Sequence, residues 1–343
     1  MFAMANEQLA LEASINDFFH RSGLTSRDRL DCSNFVENLY PDRPISPAIC
    51  QGYCSMTVFV GDDLVIQFRP EIYRLNLQIT DAARDVYGTF APETKYLTTL
   101  PESGLVVYSM GRIEGISFKH FRASDGFIAR STYFRTELCK DFAAFLAKSW
   151  NNNNVDGLPL GRVGKSLITR LKSLAEELPS RFLPAVRNVL RNLHQIEALP
   201  WVLTHGDIVA ANIMIRPSSG KLTGLVDWAE AERLPFGICL YGLEEILGEM
   251  TTAGFQYDGD AEEMRALFWT ELQRHLPELE QQSVLDAVKL ARDLGVLLWH
   301  GIAFDNGAID RVVQEDRDIE EVRRLDAFLD LSGHEDLDWI SKI

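Results

Sequence analysis

Residues 201–230 read WVLTHGDIVAANIMIRPSSGKLTGLVDWAE, and the fold follows from how this stretch is read. Thr204-His205-Gly206-Asp207 is a turn with an acid at its tip. Asn212 stands five positions after Asp207, and Ile213-Met214-Ile215 is a short apolar run. Pro217-Ser218-Ser219-Gly220 is dense in turn-forming residues. A second apolar run, Leu222 to Val226, then delivers Asp227. The pattern predicts a β-hairpin that brings Asn212, at the start of one strand, near Asp227, at the end of the other. Two oxygen ligands beside a loop acid suit a magnesium–phosphate site. In phosphoryl transfer a loop Asp takes the acceptor's proton while an Asn and a second Asp hold Mg²⁺ on the nucleotide. The spacing H-x-D-x-x-x-x-N is that of the kinase catalytic loop, with Gly206 where protein kinases carry Arg. Alone, it would arise by chance in roughly one chain per hundred of this length. The following hairpin makes coincidence far rarer.

LTHGDIVAANIMI and GLVDWAEAERLPFG resemble the aminoglycoside phosphotransferase-like family. Within it they are most similar to the branch of filamentous fungi, where Pro-Phe-Gly after the second acid is usual. The resemblance extends more weakly from about Gln51 to about Leu331. It implies an α+β, bilobal, protein-kinase-like fold and ATP-dependent phosphate transfer to a hydroxyl or amine of a small molecule. It makes Asp207 the catalytic acid/base, His205 a brace of the loop, and Asn212 and Asp227 the Mg²⁺ ligands. Residues 1–110 would form the N-terminal lobe, with leading helices, an antiparallel sheet and the nucleotide loop. Residues 111–343 would form the helical lobe with the catalytic loop and metal site.

The rest of the chain sets bounds. A length of 343 residues with 46% hydrophobic and 24% charged residues suits a two-lobed globular protein. A net charge of −16 argues against nucleic acid as partner. It would favour a cationic small-molecule substrate if the acids lined a cleft; otherwise they solvate the surface. Five cysteines show no zinc spacing, and Cys50 and Cys54 have no second pair to complete a site. The N-terminus lacks a basic segment followed by an apolar core, and no run of 18 apolar residues exists. A cytoplasmic protein with no membrane span is expected, and its oligomeric state is not encoded legibly.

In chain order, helices are expected over 6–21 and 31–40. Met56–Val60 and Leu64–Arg69 read as strands about a Gly61-Asp62-Asp63 turn. The resemblance puts Gly52 and Ser55 in the phosphate loop. It also asks for Lys or Arg on the second strand, where Gln67 stands; Arg69, two residues on, shares the sheet face. Gln67 supports an alternative, a kinase-fold protein that binds a ligand or partner, or does other chemistry, without transferring phosphate. A helix over 73–88 offers Asp81 and Asp85 as partners of the strand cation. By resemblance, main-chain groups of Ser109, Met110 and Gly111 would meet adenine.

Beyond residue 131 helices dominate, with Phe134, Leu138, Phe142, Phe145 and Leu146 as a core stripe. Asn151–Asn154 reads as a polar loop. Gly164-Lys165-Ser166 suggests a P-loop, but the first glycine of that motif falls on Pro159. Two helices are expected over 166–198, with a turn at Leu178-Pro179. A loop is expected over 229–237, then helices over 242–250, 261–274, 283–299 and 315–331. In the last of these Ile319, Val322, Leu325 and Phe328 would face inward.

Overall fold

The computed structural model describes residues 2–48, 51–152, 155, 157–305 and 308–329. Cys50, Asn153 and Asn154 lie outside the described residues.

Five antiparallel strands form a sheet in the order Ile45–Pro47, Met56–Val60, Leu64–Arg69, Val106–Gly111, Thr94–Thr99. Two helices, Phe2–Arg21 and Ser26–Leu39, close one face of it. Phe18, Cys32 and Val36 from the helices are buried against Ile66, Phe68 and Val107 from the strands. The second helix begins earlier than the expected 31, because Thr25 and Asp28 form a reciprocal capping box at its start. The helix Leu77–Tyr87 ends at Gly88, whose φ of 63° suits glycine. Its Tyr87 hydroxyl donates to the Leu203 carbonyl at 2.7 Å, which ties it to the second core.

That second core is larger and mainly helical. The helices Ser131–Asn151, Arg162–Glu177, Leu183–Glu197, Ala261–His275 and Gln282–His300 surround it. Phe134, Leu138, Phe142, Phe145 and Leu146 are all buried in it, as their spacing predicts.

Three expectations in this half are corrected. The 242–250 helix stops at Leu247, and Gly248–Thr251 pairs as a strand with Gly254–Tyr257. A Cβ on Gly248 would stand 2.4 Å from the Phe255 ring, so only glycine permits this pairing. The expected loop 229–237 contains the strand Glu232–Pro235, which pairs with Trp201–Thr204. The last helix spans Ile319–Phe328, and Ile319 is 50% exposed rather than inward, because it opens the helix where packing has not begun. A hairpin of Ile302–Asp305 and Ala308–Val312 precedes it.

The P-loop lookalike resolves physically. The helix Arg162–Glu177 has no side-chain cap of its own on Gly161. Instead the buried Glu232 carboxylate accepts from the backbone N–H of Val163 at 2.9 Å and of Gly164 at 2.8 Å. The anion-binding end of this helix is therefore filled from within the chain. A Cβ on Gly161 would meet Glu232 at 2.5 Å, which explains the glycine. Glu232→Ala is expected to lower stability by about 1–2 kcal/mol through loss of the cap. Urea denaturation checks this, and an unchanged midpoint would show that the carboxylate contributes no net capping.

Candidate active site

The hairpin at 213–225 forms as its sequence predicts. Ile213 pairs with Leu225 and Met214 with Gly224. The ladder extends one step further, since the Val226 N–H donates to the Asn212 carbonyl at 3.0 Å. Backbone pairing thus sets Asn212 beside the residue that precedes Asp227. Asp227 has φ 63° and ψ 69° and is the one non-glycine at positive φ among the described residues. Such a conformation costs free energy for a residue with a Cβ, and it often marks a functional position.

Asn212 also reaches back to the catalytic-type loop. Its Nδ2 donates to the Asp207 carbonyl at 3.0 Å and to Asp207 Oδ2 at 2.9 Å. With the amide nitrogen committed to Asp207, Oδ1 is the atom left for a cation. The Asp207 carboxyl is pushed up to about 7, first by burial and then by the charge of Asp227; the Asn212 hydrogen bond opposes the rise.

His205 is buried, and both its nitrogens are used. Nδ1 accepts from the Asp207 N–H at 3.2 Å, which fixes Nδ1 as the unprotonated nitrogen. Nε2 then donates to the Val226 carbonyl at 2.9 Å. Burial lowers its pKa to about 4, so the ring is neutral at pH 7. His205 therefore ties the loop bearing Asp207 to the strand end bearing Asp227. Gly206, at φ 78°, allows the loop to close, since a Cβ there would stand 2.1 Å from the Glu230 carbonyl oxygen. A side chain such as the Arg of protein kinases does not fit in this conformation. The Ile208 N–H donates to the Tyr241 hydroxyl at 3.1 Å and anchors the far side of the loop.

These groups open on a cleft of about 470 Å³. Asp207 and Asp227 share its wall with Gly52, Tyr53, Cys54, Ser55 and Arg69. Gly52 and Ser55 lie between the strands Ile45–Pro47 and Met56–Val60, the first two of the sheet. Gln51 braces that loop by accepting from the Thr57 N–H at 2.7 Å and donating to the Ala48 carbonyl at 2.9 Å. Arg21 from the first helix donates to the Tyr53 carbonyl at 3.0 Å and sits 4.3 Å from the Tyr53 ring centre.

Gln67 and Arg69 share a sheet face as expected, but only Arg69 lines the cleft. Arg69 is 3% exposed, and it donates to the Tyr73 carbonyl at 2.8 Å and to Gln67 Oε1 at 3.1 Å. Gln67 also donates to the Thr57 hydroxyl at 3.3 Å. Gln67 is thus a brace for the cation. Asp81 and Asp85 are both exposed, and neither has an ion pair with Arg69 among the described residues. Helix periodicity turns Ile79, Ala83 and Val86 inward instead.

Ser109, Met110 and Gly111 are not on this cleft wall. They lie in a central strand whose main chain is paired on both sides, with Ser109 opposite Ile66 and Lys95. The Gly111 N–H donates to the Glu93 carbonyl at 2.9 Å. The next main-chain N–H, that of Arg112, is also used, donating to the Asp63 carbonyl at 2.8 Å.

The rest of the lining carries no sequence signal. Trp299, His300, Ile302, Phe304, Glu320, Glu321 and Arg324 all face the cleft from the C-terminal elements. No local motif marks them; only the return of the chain past residue 299 brings them there. Glu230 adds another acid, held above the usual carboxylate range by burial and by Asp227.

Residues 80–236 match the family described as phosphotransferase enzyme family. A comparison with curated proteins finds no match. Among solved structures, the GDP complex of a mutant aminoglycoside 2'-phosphotransferase-IIIa superposes with a TM-score of 0.53 at 12% identity, over 79% of this chain and 89% of that one. A GDP and kanamycin complex of APH(2")-IIIa has a TM-score of 0.48 at 14% identity, over 79% and 91%. The aminoglycoside phosphotransferase APH(3'')-Id from Streptomyces rimosus has 0.45 at 16% identity, over 77% and 98%. The first of these likenesses shows the fold, a kinase-like antiparallel sheet joined to a larger helical region, and the resemblance seen in the sequence agrees with it. Among the described residues no helix is long and apolar enough to cross a membrane.

Proposed function

We propose that the chain is an ATP- and Mg²⁺-dependent phosphotransferase acting on a hydroxyl or amine of a small molecule. The observation that carries this is that Asp207, hydrogen-bonded by Asn212, lines one cleft together with Asp227, Arg69 and the Gly52–Ser55 loop. Among the described residues no three His, Cys, Asp or Glu side chains could hold a metal by themselves. One Asp, one Asn oxygen, phosphate oxygens and water are nevertheless a set that suits Mg²⁺, which keeps several waters and takes few protein ligands. When bound, Mg²⁺ supplies charge neutralisation on the phosphates. Asn212 and Asp227 would hold it, and Arg69 would bind phosphate oxygens from the sheet side. Asp207 orients the acceptor group and takes its proton. His205 keeps the loop in place and carries no proton in the reaction. A cytoplasmic location goes with this reading.

The alternative, a kinase-fold protein without phosphotransfer, drew on Gln67. Arg69 on the cleft wall supplies the cation that Gln67 lacks, and this favours the enzyme. Asp227→Ala is expected to weaken Mg·ATP binding more than Asn212→Ala, because Asp227 brings a full charge to the ion and Asn212 only a dipole. Calorimetric titration of Mg·ATP into both variants tests the proposal. Equal and small losses would move the reading to the non-catalytic alternative.

A further inference from the structure

The cleft lining includes a group of large apolar side chains. Tyr53, on the loop at 51–55, meets Phe304, on the hairpin Ile302–Asp305, edge to face at 6.3 Å between ring centres. Both rings remain accessible, Tyr53 at 41% and Phe304 at 49%, although each already covers part of the other. Trp299 lines the same space and is stacked from behind on Tyr241 at 5.5 Å, so its ring is held in place. Ile302 adds a further apolar side chain. Large rings left half open in a cleft gain their hydrophobic contribution when an apolar face of a ligand displaces water from them.

The charges lining the cleft are unequal. Asp207, Asp227, Glu230, Glu320 and Glu321 stand against Arg69 and Arg324, five acids to two cations. Arg324 is itself surrounded, 3.4 Å from Glu245, 3.6 Å from Glu320 and 3.7 Å from Glu321. An anionic acceptor would meet net repulsion. The lining also carries a buried polar group with an unused atom. His300 is 2% exposed, its Nδ1 lies 2.6 Å from Glu321 Oε2, and its Nε2 has no hydrogen-bond partner among the described residues. With Nδ1 engaged by Glu321, Nε2 is the ring nitrogen left for another partner. A hydroxyl of a ligand would satisfy it.

Resting on the phosphotransferase reading, we infer that the acceptor is a small cationic compound built on a flat apolar ring, carrying a hydroxyl and an amine. The ring lies against Phe304, Tyr53 and Trp299. The amine faces the excess of carboxylates. The hydroxyl stands at the Asp207 end.

The test uses the full chain and three probes: 2-phenylethanolamine, which has an aromatic ring, hydroxyl and amine; ethanolamine, which lacks the ring; and 2-deoxystreptamine, whose saturated ring carries amines and hydroxyls but no flat apolar face. Calorimetry or saturation-transfer NMR is expected to show 2-phenylethanolamine binding about tenfold more tightly than either of the others. Phe304→Ala, at a half-exposed position that the fold does not depend on, is expected to cut that preference to about twofold while the melting temperature stays unchanged. Equal affinity for the three probes, tighter binding of 2-deoxystreptamine, or an unaltered preference in Phe304→Ala would each overturn the inference. Mg·ATP titration of the same samples keeps the two readings apart. Ring selectivity without nucleotide binding would sink the phosphotransferase reading alone, and nucleotide binding without ring selectivity would sink this one alone.

Discussion

Arg69→Ala is expected to weaken Mg·ATP binding by about 10- to 150-fold, the range set by losing roughly 1.5–3 kcal/mol of hydrogen bonding to a charged group. Arg69 is buried in the sheet edge of the cleft, and its guanidinium is already oriented by the Tyr73 carbonyl and Gln67 Oε1. Little rotamer freedom remains to be lost when phosphate arrives. The same geometry reverses what Gln67 suggests when read alone. Without the structure, a Lys at 67 looks like the restoration of a missing cation. With it, Gln67→Lys removes the oxygen that accepts from Arg69 and sets an ammonium beside a guanidinium. Affinity in Gln67→Lys is therefore expected to stay level or fall. Calorimetry on both variants, with melting curves as a check on folding, decides the matter. Undiminished affinity in Arg69→Ala, or a tenfold gain in Gln67→Lys, would return the anchoring role to position 67.

How much of this was legible in the sequence depends on how local each determinant is. Asn212, Asp227 and the strands between them sit within 21 residues of Asp207, and turn chemistry plus alternating apolar residues specify the hairpin. The stripe from Phe134 to Leu146 is equally local, since helix periodicity alone turns it inward. Gln67 and Arg69 could be placed on one sheet face but not ranked, because which side chain reaches the cleft depends on Tyr73 and Thr57. Asp81 and Asp85 were drawn from a family expectation, and the helix phase places both in solvent. The main chain of Ser109 to Gly111 could not be judged without the two neighbouring strands that pair with it. The C-terminal wall is the extreme case. His300 and Glu321 are 21 residues apart and belong to different helices, and no spacing rule connects them to Asp207. Glu232 shows the same limit in another form: a carboxylate 69 residues from the helix start it caps leaves no local signature.

Asp207→Asn should separate activity from stability. The amide cannot accept the acceptor's proton, and loss of a general base lowers turnover by about 10²–10⁴. The fold should survive, because an Asn oxygen can still accept from Asn212 Nδ2, as Asp207 Oδ2 does at 2.9 Å. Stability should rise at neutral to alkaline pH. In the metal-free protein burial and the Asp227 charge disfavour the ionised form of Asp207 and push its pKa up from an ordinary 3.8 to about 7. Below 3.8 both the native and unfolded chains hold the proton, and the group does not oppose folding. As pH rises through that window the unfolded chain releases its proton first, so the native state loses stability until pH passes about 7. The loss is on the order of 2–4 kcal/mol for an isolated group with this difference. Asn does not titrate, so the variant escapes it. With Mg²⁺ removed by chelation, Asp207→Asn is expected to melt several degrees above the wild type at pH 8, with the gap shrinking as pH is lowered toward 5. A gap of the same size at both pH values would show that Asp207 does not titrate in this range. Wild-type turnover in the variant would remove Asp207 from the role of base.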